Sequence, residues 1–361
     1  MVVTFPHMGN IYIALKAFFD ELGIRSVTPP FCSNKTLELG TRISPESICL
    51  PLKLNLGNYL ESLQCGADTF IITGSCGPCR FGYYGVSEKE ILNDNGYPVD
   101  VVMLDPVSGM GLLYKRLRKI TGQKSILKVI PALKKALNIA CLADMLEKKI
   151  FYIRPREVNT GSADKAYGRF KKEVYRTHGI KNMLGLIAHT CDELGTIPLD
   201  QTAKPMKIGI LGEIFTIIEP YTNLNIEQKL GRMGFEVHRS LNASTWITDK
   251  IFYRSLGFYK NPEVYSAAKP YLDRCIGGHT WECIGHAVLY AQQGFAGAVE
   301  VLPFGCMPEI VSKSILPQVC IDHKMPILTL VVDELTGETG FDTRLEAFCD
   351  LLSYRRRKIN S

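Results

Sequence analysis

The sequence predicts an α/β protein made of two open parallel-sheet lobes with a helical layer between them. Three observations carry that expectation. Short, nearly all-apolar runs alternate with amphipathic segments at both ends of the chain, as strands covered on both faces require. The middle of the chain instead repeats apolar residues at threes and fours, the helical spacing. The chain has 361 residues of which 46% are hydrophobic, enough for roughly two domains.

The first lobe is expected over 1–108, with strands at Val2–Phe5, Ala67–Thr73 and Val99–Leu104 and an amphipathic helix over Ile11–Leu22. Gly23, Gly66 and Gly96 fall where a helix or turn should end. Over 109–205, Leu112, Leu113, Ile120, Ile126, Ile130, Leu133, Leu137, Ala140 and Leu146 keep helical spacing with almost no strand-like run, a helical linker layer. A second α/β lobe is expected over 206–361, opening on the strand Ile208-Gly209-Ile210-Leu211-Gly212. It continues with a helix over Asn225–Met233, a strand at Phe235–His238 and a helix over His279–Gln293. Strands at Ala298–Leu302 and Ile327–Val332 and a closing helix from Thr343 to about Arg356 complete it. Two lobes bracketing a layer predict a cleft, and open α/β sheets bind ligands beyond the carboxyl ends of their strands.

Composition excludes several classes. A net charge of +6 and a 22% charged fraction do not describe a disordered chain, and the basic excess is too small and scattered for a nucleic-acid surface. The one basic run, Arg355 to Lys358, reads as a solvated helix end. No apolar stretch reaches the roughly 18 residues that cross a bilayer. The 12 cysteines are too sparse for a disulfide scaffold, and the opening Met1-Val2-Val3-Thr4-Phe5 lacks the basic region of a secretory leader. A cytoplasmic protein with reduced thiols is the expectation, so clustered cysteines point to metal or redox chemistry.

Three cysteine-bearing segments share a Gly/Pro-rich frame: Ser47-Ile48-Cys49-Leu50-Pro51, Gly74-Ser75-Cys76-Gly77-Pro78-Cys79-Arg80 and Pro303-Phe304-Gly305-Cys306-Met307-Pro308. Such loops let backbone amides approach sulfur, and a helix N-terminus favours the thiolate. Cys76 and Cys79 suit a dithiol redox motif, half of a zinc site, or the ligands of an iron–sulfur cluster. Zinc lacks the second CxxC or His pair it would need, and the redox motif leaves Cys49 and Cys306 without a role. Tight turns with buried free thiols are the alternative without function. Cys65, Cys141, Cys191 and Cys349 read as small core residues, whereas Cys32, Cys275, Cys283 and Cys320 stay ambiguous.

Other polar groups fall at candidate edges. His279, Glu282 and His286 share one helix face behind Gly277-Gly278, suited to a metal, an anion or a structural role. Glu213 follows the first strand of the second lobe, and His7 and Asn10 follow the first strand of the chain. Glu219 and Asn223 are weaker candidates. The dinucleotide fingerprint GxGxxG and a Walker A loop are both missing, so any ATP hydrolysis falls to a partner.

Taken together, Thr4-Phe5-Pro6-His7-Met8-Gly9-Asn10, Ile48-Cys49-Leu50-Pro51, Gly74-Ser75-Cys76-Gly77-Pro78-Cys79, Gly212-Glu213, Gly277-Gly278-His279, Pro303-Phe304-Gly305-Cys306-Met307-Pro308-Glu309 and Thr343-Arg344-Leu345-Glu346-Ala347-Phe348 span most of the chain. In order and spacing the set resembles the 2-hydroxyacyl-CoA dehydratase / benzoyl-CoA reductase superfamily of iron–sulfur proteins, in the branch related to CoA-enzyme activases. The resemblance implies two Rossmann-like lobes and a [4Fe–4S] cluster, or the related double-cubane [8Fe–9S] cluster, held by three cysteines. By position Cys49, Cys76 and Cys306 match those ligands, with the extra Cys79 as an alternative to Cys76.

It also implies an ATP-hydrolysing iron–sulfur activator protein as electron donor, and a homodimer or a heterodimer with a related subunit. Three thiolates for four irons leave one iron open to a substrate oxygen. The expected function is therefore an activator-dependent reductase or 2-hydroxyacyl-CoA dehydratase component of an anaerobe. Glu213 and His279 are its catalytic candidates, and His7 and Asn10 its substrate-binding ones. The alternative is a non-catalytic electron-transfer or accessory protein of such a system.

Overall fold

The computed structural model describes residues 1–74, 79–104, 109–249 and 261–360. Along the chain these form β1 (Val3–Thr4), α1 (Ile11–Glu21), α2 (Asn34–Ile43), α3 (Leu50–Gln64), β2 (Thr69–Thr73), α4 (Tyr84–Asp94), β3 (Asp100–Leu104), α5 (Met110–Ile120), α6 (Ile126–Ile153), α7 (Ser162–Arg176) and α8 (Ile180–Gly195). They continue with β4 (Met206–Gly212), α9 (Ile214–Ile218), α10 (Ile226–Arg232), β5 (Phe235–Arg239), α11 (Ala243–Ile247), α12 (Pro262–Ala268), α13 (Thr280–Gln292), β6 (Gly297–Pro303), α14 (Met307–His323), β7 (Ile327–Val332) and α15 (Glu338–Asn360). The fold is mixed α/β with two parallel sheets, as the alternating runs require.

The chain divides into two units, Met1–Glu147 with Lys165–Thr196 and Ala243–Lys260, and Lys148–Asp164 with Ile197–Asn242 and Asn261–Ser361. The segment 109–205 is therefore shared between the units, a division that differs from the three-segment expectation. Local polar anchors explain the split. In the first unit, Lys16 Nζ on α1 donates to Thr177 O at 2.6 Å and to Asp20 at 2.8 Å, which ties the α7–α8 turn to α1. The Ser244 amide donates to Asp144 Oδ2 at 2.8 Å, drawing α11 to α6. In the second unit the buried Arg154 donates to Asp164 Oδ1 and to Glu227 O, binding the end of α6 to α10.

The first unit's sheet runs β1-β2-β3, all parallel, with Thr69 opposite Asp100 and Thr73 opposite Leu104. Its core joins Leu52, Leu56, Tyr59 and Leu60 of α3 to Phe70 and Ile72 of β2, and the Tyr59 and Phe70 rings stack at 4.3 Å. The pattern along α3 is not amphipathic because the helix is buried on nearly every side, Lys53, Asn55, Asn58 and Glu61 included. Its packing against α2 is backbone to backbone. A Cβ on Gly40 would lie 1.7 Å from Lys53 O, and one on Gly57 would lie 1.9 Å from Thr36 O. A capping box between Ser33 and Thr36 starts α2.

The second unit's sheet runs β5-β4-β6-β7, again all parallel. The strand order reverses between β4 and β6, the kind of switch point where open α/β sheets place ligands. Leu211, Ala298, Cys283, Ile284, Ala287, Val288 and Leu316 form the core on one face. Gly209 has no side chain because the Tyr290 ring occupies the space, 2.3 Å from where a Cβ would stand. Its glycine serves packing, in keeping with the missing dinucleotide fingerprint. No helix of the described residues is long and apolar enough to cross a membrane.

The glycine contacts between α2 and α3 set a stability expectation. Gly57→Ala should lower the stability of the first unit by about 1–3 kcal/mol, since the clashing atoms are backbone and cannot swing away. Gly168→Ala on α7, where a Cβ meets nothing within 4 Å, should be neutral or stabilising by up to about 1 kcal/mol. Urea denaturation of the two variants side by side checks both signs.

Candidate functional site

In the first unit, the groups singled out from sequence gather at the carboxyl end of the sheet. Cys49 is the N-cap of α3, buried, with φ −71° and ψ 149° and Pro51 in the helix's first turn. Because α3 runs back into β2, its N-terminus lies at the end where β2 finishes. The chain after β2 meets it there. Arg80 Nη1 donates to Ser47 O at 2.8 Å, and Cys49 Sγ and the Tyr84 hydroxyl lie 2.6 Å apart. Cys79, partly exposed, caps the short 3-10 turn Arg80–Tyr83. Cys76 lies outside the described residues.

His7 and Asn10 follow β1 at the same end, and both are buried. The His7 amide donates to Asn58 Oδ1 at 3.0 Å, and its ring stacks on Tyr12 at 4.7 Å with Phe31 edge-on at 5.1 Å. Asn10 Oδ1 accepts from the Tyr167 hydroxyl at 3.0 Å. Cys32, ambiguous from sequence, joins this group with Sγ 3.7 Å from Asn58 Oδ1. Cys65, expected in the core, is exposed instead, because it follows the last turn of α3.

The second unit presents a matching edge. Cys306 is the buried N-cap of α14, with φ −71° and ψ 106° and Pro308 in the first turn. It ends a turn held by the Cys306 amide donating to Pro303 O at 3.1 Å, which Gly305 closes at φ +70°. His279 is the buried N-cap of α13, whose first turn is joined to α14 by Thr280 Oγ1 donating to Pro308 O at 2.7 Å. Glu213 follows β4, beside the strand that leads to Cys306. Its carboxylate accepts from the Phe215 and Thr216 amides and the Thr216 hydroxyl at 2.9–3.0 Å. Both oxygens are committed to capping α9, so Glu213 does helix-start work.

The structure adds a cluster that the sequence reading missed. Cys283 on α13, Glu300 in mid-β6 and Glu309 in the first turn of α14 are all fully buried, with ligand atoms within 4.8 Å of one another. The three could hold a metal ion. Cys283 Sγ lies 3.9 Å from Glu300 Oε1. Ser312 Oγ reaches Glu300 Oε1 at 3.0 Å and Glu309 Oε2 at 2.9 Å, and Thr329 Oγ1 donates to Glu300 Oε2 at 2.7 Å. Burial pushes the Glu300 carboxyl up to about 7, and burial together with the Glu300 charge pushes Glu309 up to about 8. Burial and both carboxylates push the Cys283 thiol well above its ordinary range. One signal was legible: Glu300 is the only charged residue in Gly297-Ala298-Val299-Glu300-Val301-Leu302-Pro303.

A further buried carboxyl lies behind Cys49. Glu88, one turn after Tyr84 on α4, accepts from Asn55 Nδ2 at 3.0 Å, and burial pushes it up to about 8. An unfolded Glu ionises near 4.5 whereas the folded one keeps its proton to about 8, so the folded state binds more protons in between. The stability this group contributes is complete below about 4.5 and is lost as pH rises through about 8. Glu88→Gln should therefore flatten that decline, raising stability at alkaline pH by a few kcal/mol, as denaturation midpoints against pH would show.

Set against known proteins, the chain matches no family model and no curated protein, so its own residues carry the functional reading.

Proposed function

We propose that the chain is an iron–sulfur protein charged with low-potential electrons by an ATP-hydrolysing activator, and that it acts as a reductase or 2-hydroxyacyl-CoA dehydratase-type component. One observation supports this most. Cys49 and Cys306, far apart in sequence, stand in the same local geometry: a buried thiol as helix N-cap, a proline in the first turn, at the carboxyl end of a parallel sheet. In that position the helix dipole and unpaired first-turn amides favour the thiolate, the form that binds iron.

The donor set fits such a group in kind. Cys49, Cys306 and a thiol of the 76–79 loop would be the iron ligands. A [4Fe–4S] cluster, or its double-cubane relative, supplies a low-potential electron and an iron open to a substrate oxygen. The Tyr84 hydroxyl beside Cys49 Sγ orients that thiol. His279, buried beside the start of α14, is the better placed of the two catalytic candidates for moving a proton, because Glu213 is held by its own helix. His7 and Asn10 shape the buried wall after β1, the substrate-side role proposed for them. The exposed Phe304, Met307 and Ile310 beside Cys306 offer an apolar rim suited to a docked activator or a related subunit. On this reading each sheet is a Rossmann-like lobe and the protein works in the cytoplasm.

The test is the full chain purified without oxygen. About four or more irons with matching acid-labile sulfide, and a reduced-state EPR signal, are expected in wild type. Cys49→Ala, Cys76→Ala and Cys306→Ala should each lose most of that iron, while Cys79→Ala keeps it. A chain without iron sinks the reading. With activator and ATP present, consumption of a 2-hydroxyacyl-CoA or another reducible thioester marks an enzyme; reduction of the iron with no such consumption marks an electron-transfer protein.

A further inference from the structure

The second unit buries two carboxylates and a thiol against one another and gives them no ion-pair partner among the described residues. Among the described residues no lysine or arginine forms an ion pair with Glu300 or Glu309; their hydrogen-bond neighbours are hydroxyls and the Cys283 sulfur, and the Lys313 charge acts on Glu300 only through space. The hydroxyls cannot meet the demand. Ser312 has one proton and faces three acceptors, Glu300 Oε1, Glu309 Oε2 and Glu309 O, at 2.9–3.0 Å. Glu309 Oε1 is buried with no hydrogen-bond partner at all. An oxygen so placed carries a desolvation cost that persists unless a cation or a proton sits beside it.

We propose that Cys283, Glu300 and Glu309 bind one divalent first-row cation with an affinity for sulfur, Zn2+ being the representative case. Donor chemistry selects the class: two carboxylates alone would suit Mg2+ or Ca2+, whereas a thiolate among them favours Zn2+ or its neighbours. Distances fit as well. A tetrahedral ion with Zn–S about 2.3 Å and Zn–O about 2.0–2.2 Å sets its ligand atoms about 3.3–3.8 Å apart. Here Sγ and Oε1 stand 3.9 Å apart and all three ligand atoms lie within 4.8 Å, so rotamer adjustments of an ångström or less close the site. The Ser312 hydroxyl, already between the carboxylates, is the fourth donor. Each ligand stands on a regular element: a helix, the strand between β4 and β7, and the first turn of a second helix. A buried, closed site of this kind is structural, holding α13, β6 and α14 together as the unit folds.

The site shares no residue with the thiols proposed for iron, so the two readings stand or fall apart. The full chain is produced with Co2+ in the growth medium, because a thiolate bound to cobalt gives a near-ultraviolet charge-transfer band. Expected are one Co2+ per chain, that band, and displacement by one equivalent of Zn2+. Cys283→Ser should abolish the band, and Glu309→Gln should weaken Co2+ binding at least about tenfold in chelator competition. Cys49→Ala and Cys306→Ala should keep the metal while losing iron. Glu309→Gln should stay folded without metal, because its amide matches the uncharged carboxyl in size and shape. Wild type without tightly held cobalt or zinc, or metal uptake unchanged in both Cys283→Ser and Glu309→Gln, overturns the proposal and leaves protons as what discharges the carboxylates.

Discussion

Parallel pairing of every described strand is the constraint from which the rest of the molecule follows. A parallel strand returns through a crossover, and the crossover helices cover the sheet faces. Side chains along β2, β6 and β4 from Ile208 onward are therefore buried or nearly so whichever way they point, and apart from Glu300 in mid-β6 the polar chemistry gathers at the strand ends. At those ends the helices begin, so each carboxyl edge collects helix N-termini. Cys49, Cys306, His279 and Glu213 all occupy N-caps, positions where unpaired amides call for an acceptor.

The same edges show how differently cap residues behave. Glu213 turns its carboxylate back onto α9 and satisfies the amides itself. Neither Cys49 nor Cys306 makes a side-chain cap, since sulfur accepts hydrogen bonds weakly. A cysteine there is a poor choice for stability alone, where Ser, Thr, Asp or Asn would serve better. Two such choices in matching geometry are what the proposed iron-binding role would account for.

Much of this was legible in the sequence, and what was not has a physical reason. The strand cores at Ile71, Val102, Ile208 and Leu330 stood out because strands covered on both faces must be apolar without alternation. The Gly/Pro frames of Cys49 and Cys306 likewise marked both helix starts. Helix α3 gave no periodic signal because it is buried all round. The sharing of 109–205 between the units depended on pairings such as Lys16 with Thr177 and Arg154 with Glu227, which sequence spacing does not reveal. Cys283, Glu300 and Glu309 come from three separate elements and meet only after folding. The lone charge in an apolar strand was the trace they left. Glu213 looked like a cleft carboxylate because capping and catalysis draw on the same residue types at the same place.

The glycine contacts between α2 and α3 bear on more than packing. With Gly40 against Lys53 O and Gly57 against Thr36 O, neither helix can slide or roll without driving backbone into backbone. The five residues 44–48 join the end of α2 to Cys49, so the thiol is fixed at both sides of a short span by contacts that have no rotamers to relax. Its Cα moves only as far as the main chain allows. On the iron–sulfur reading proposed above, such stiffness would mean a small reorganisation energy for electron exchange, since little nuclear motion would accompany the change in charge. Two residues without side chains thereby set the mechanical quality of a position whose chemistry belongs to a third.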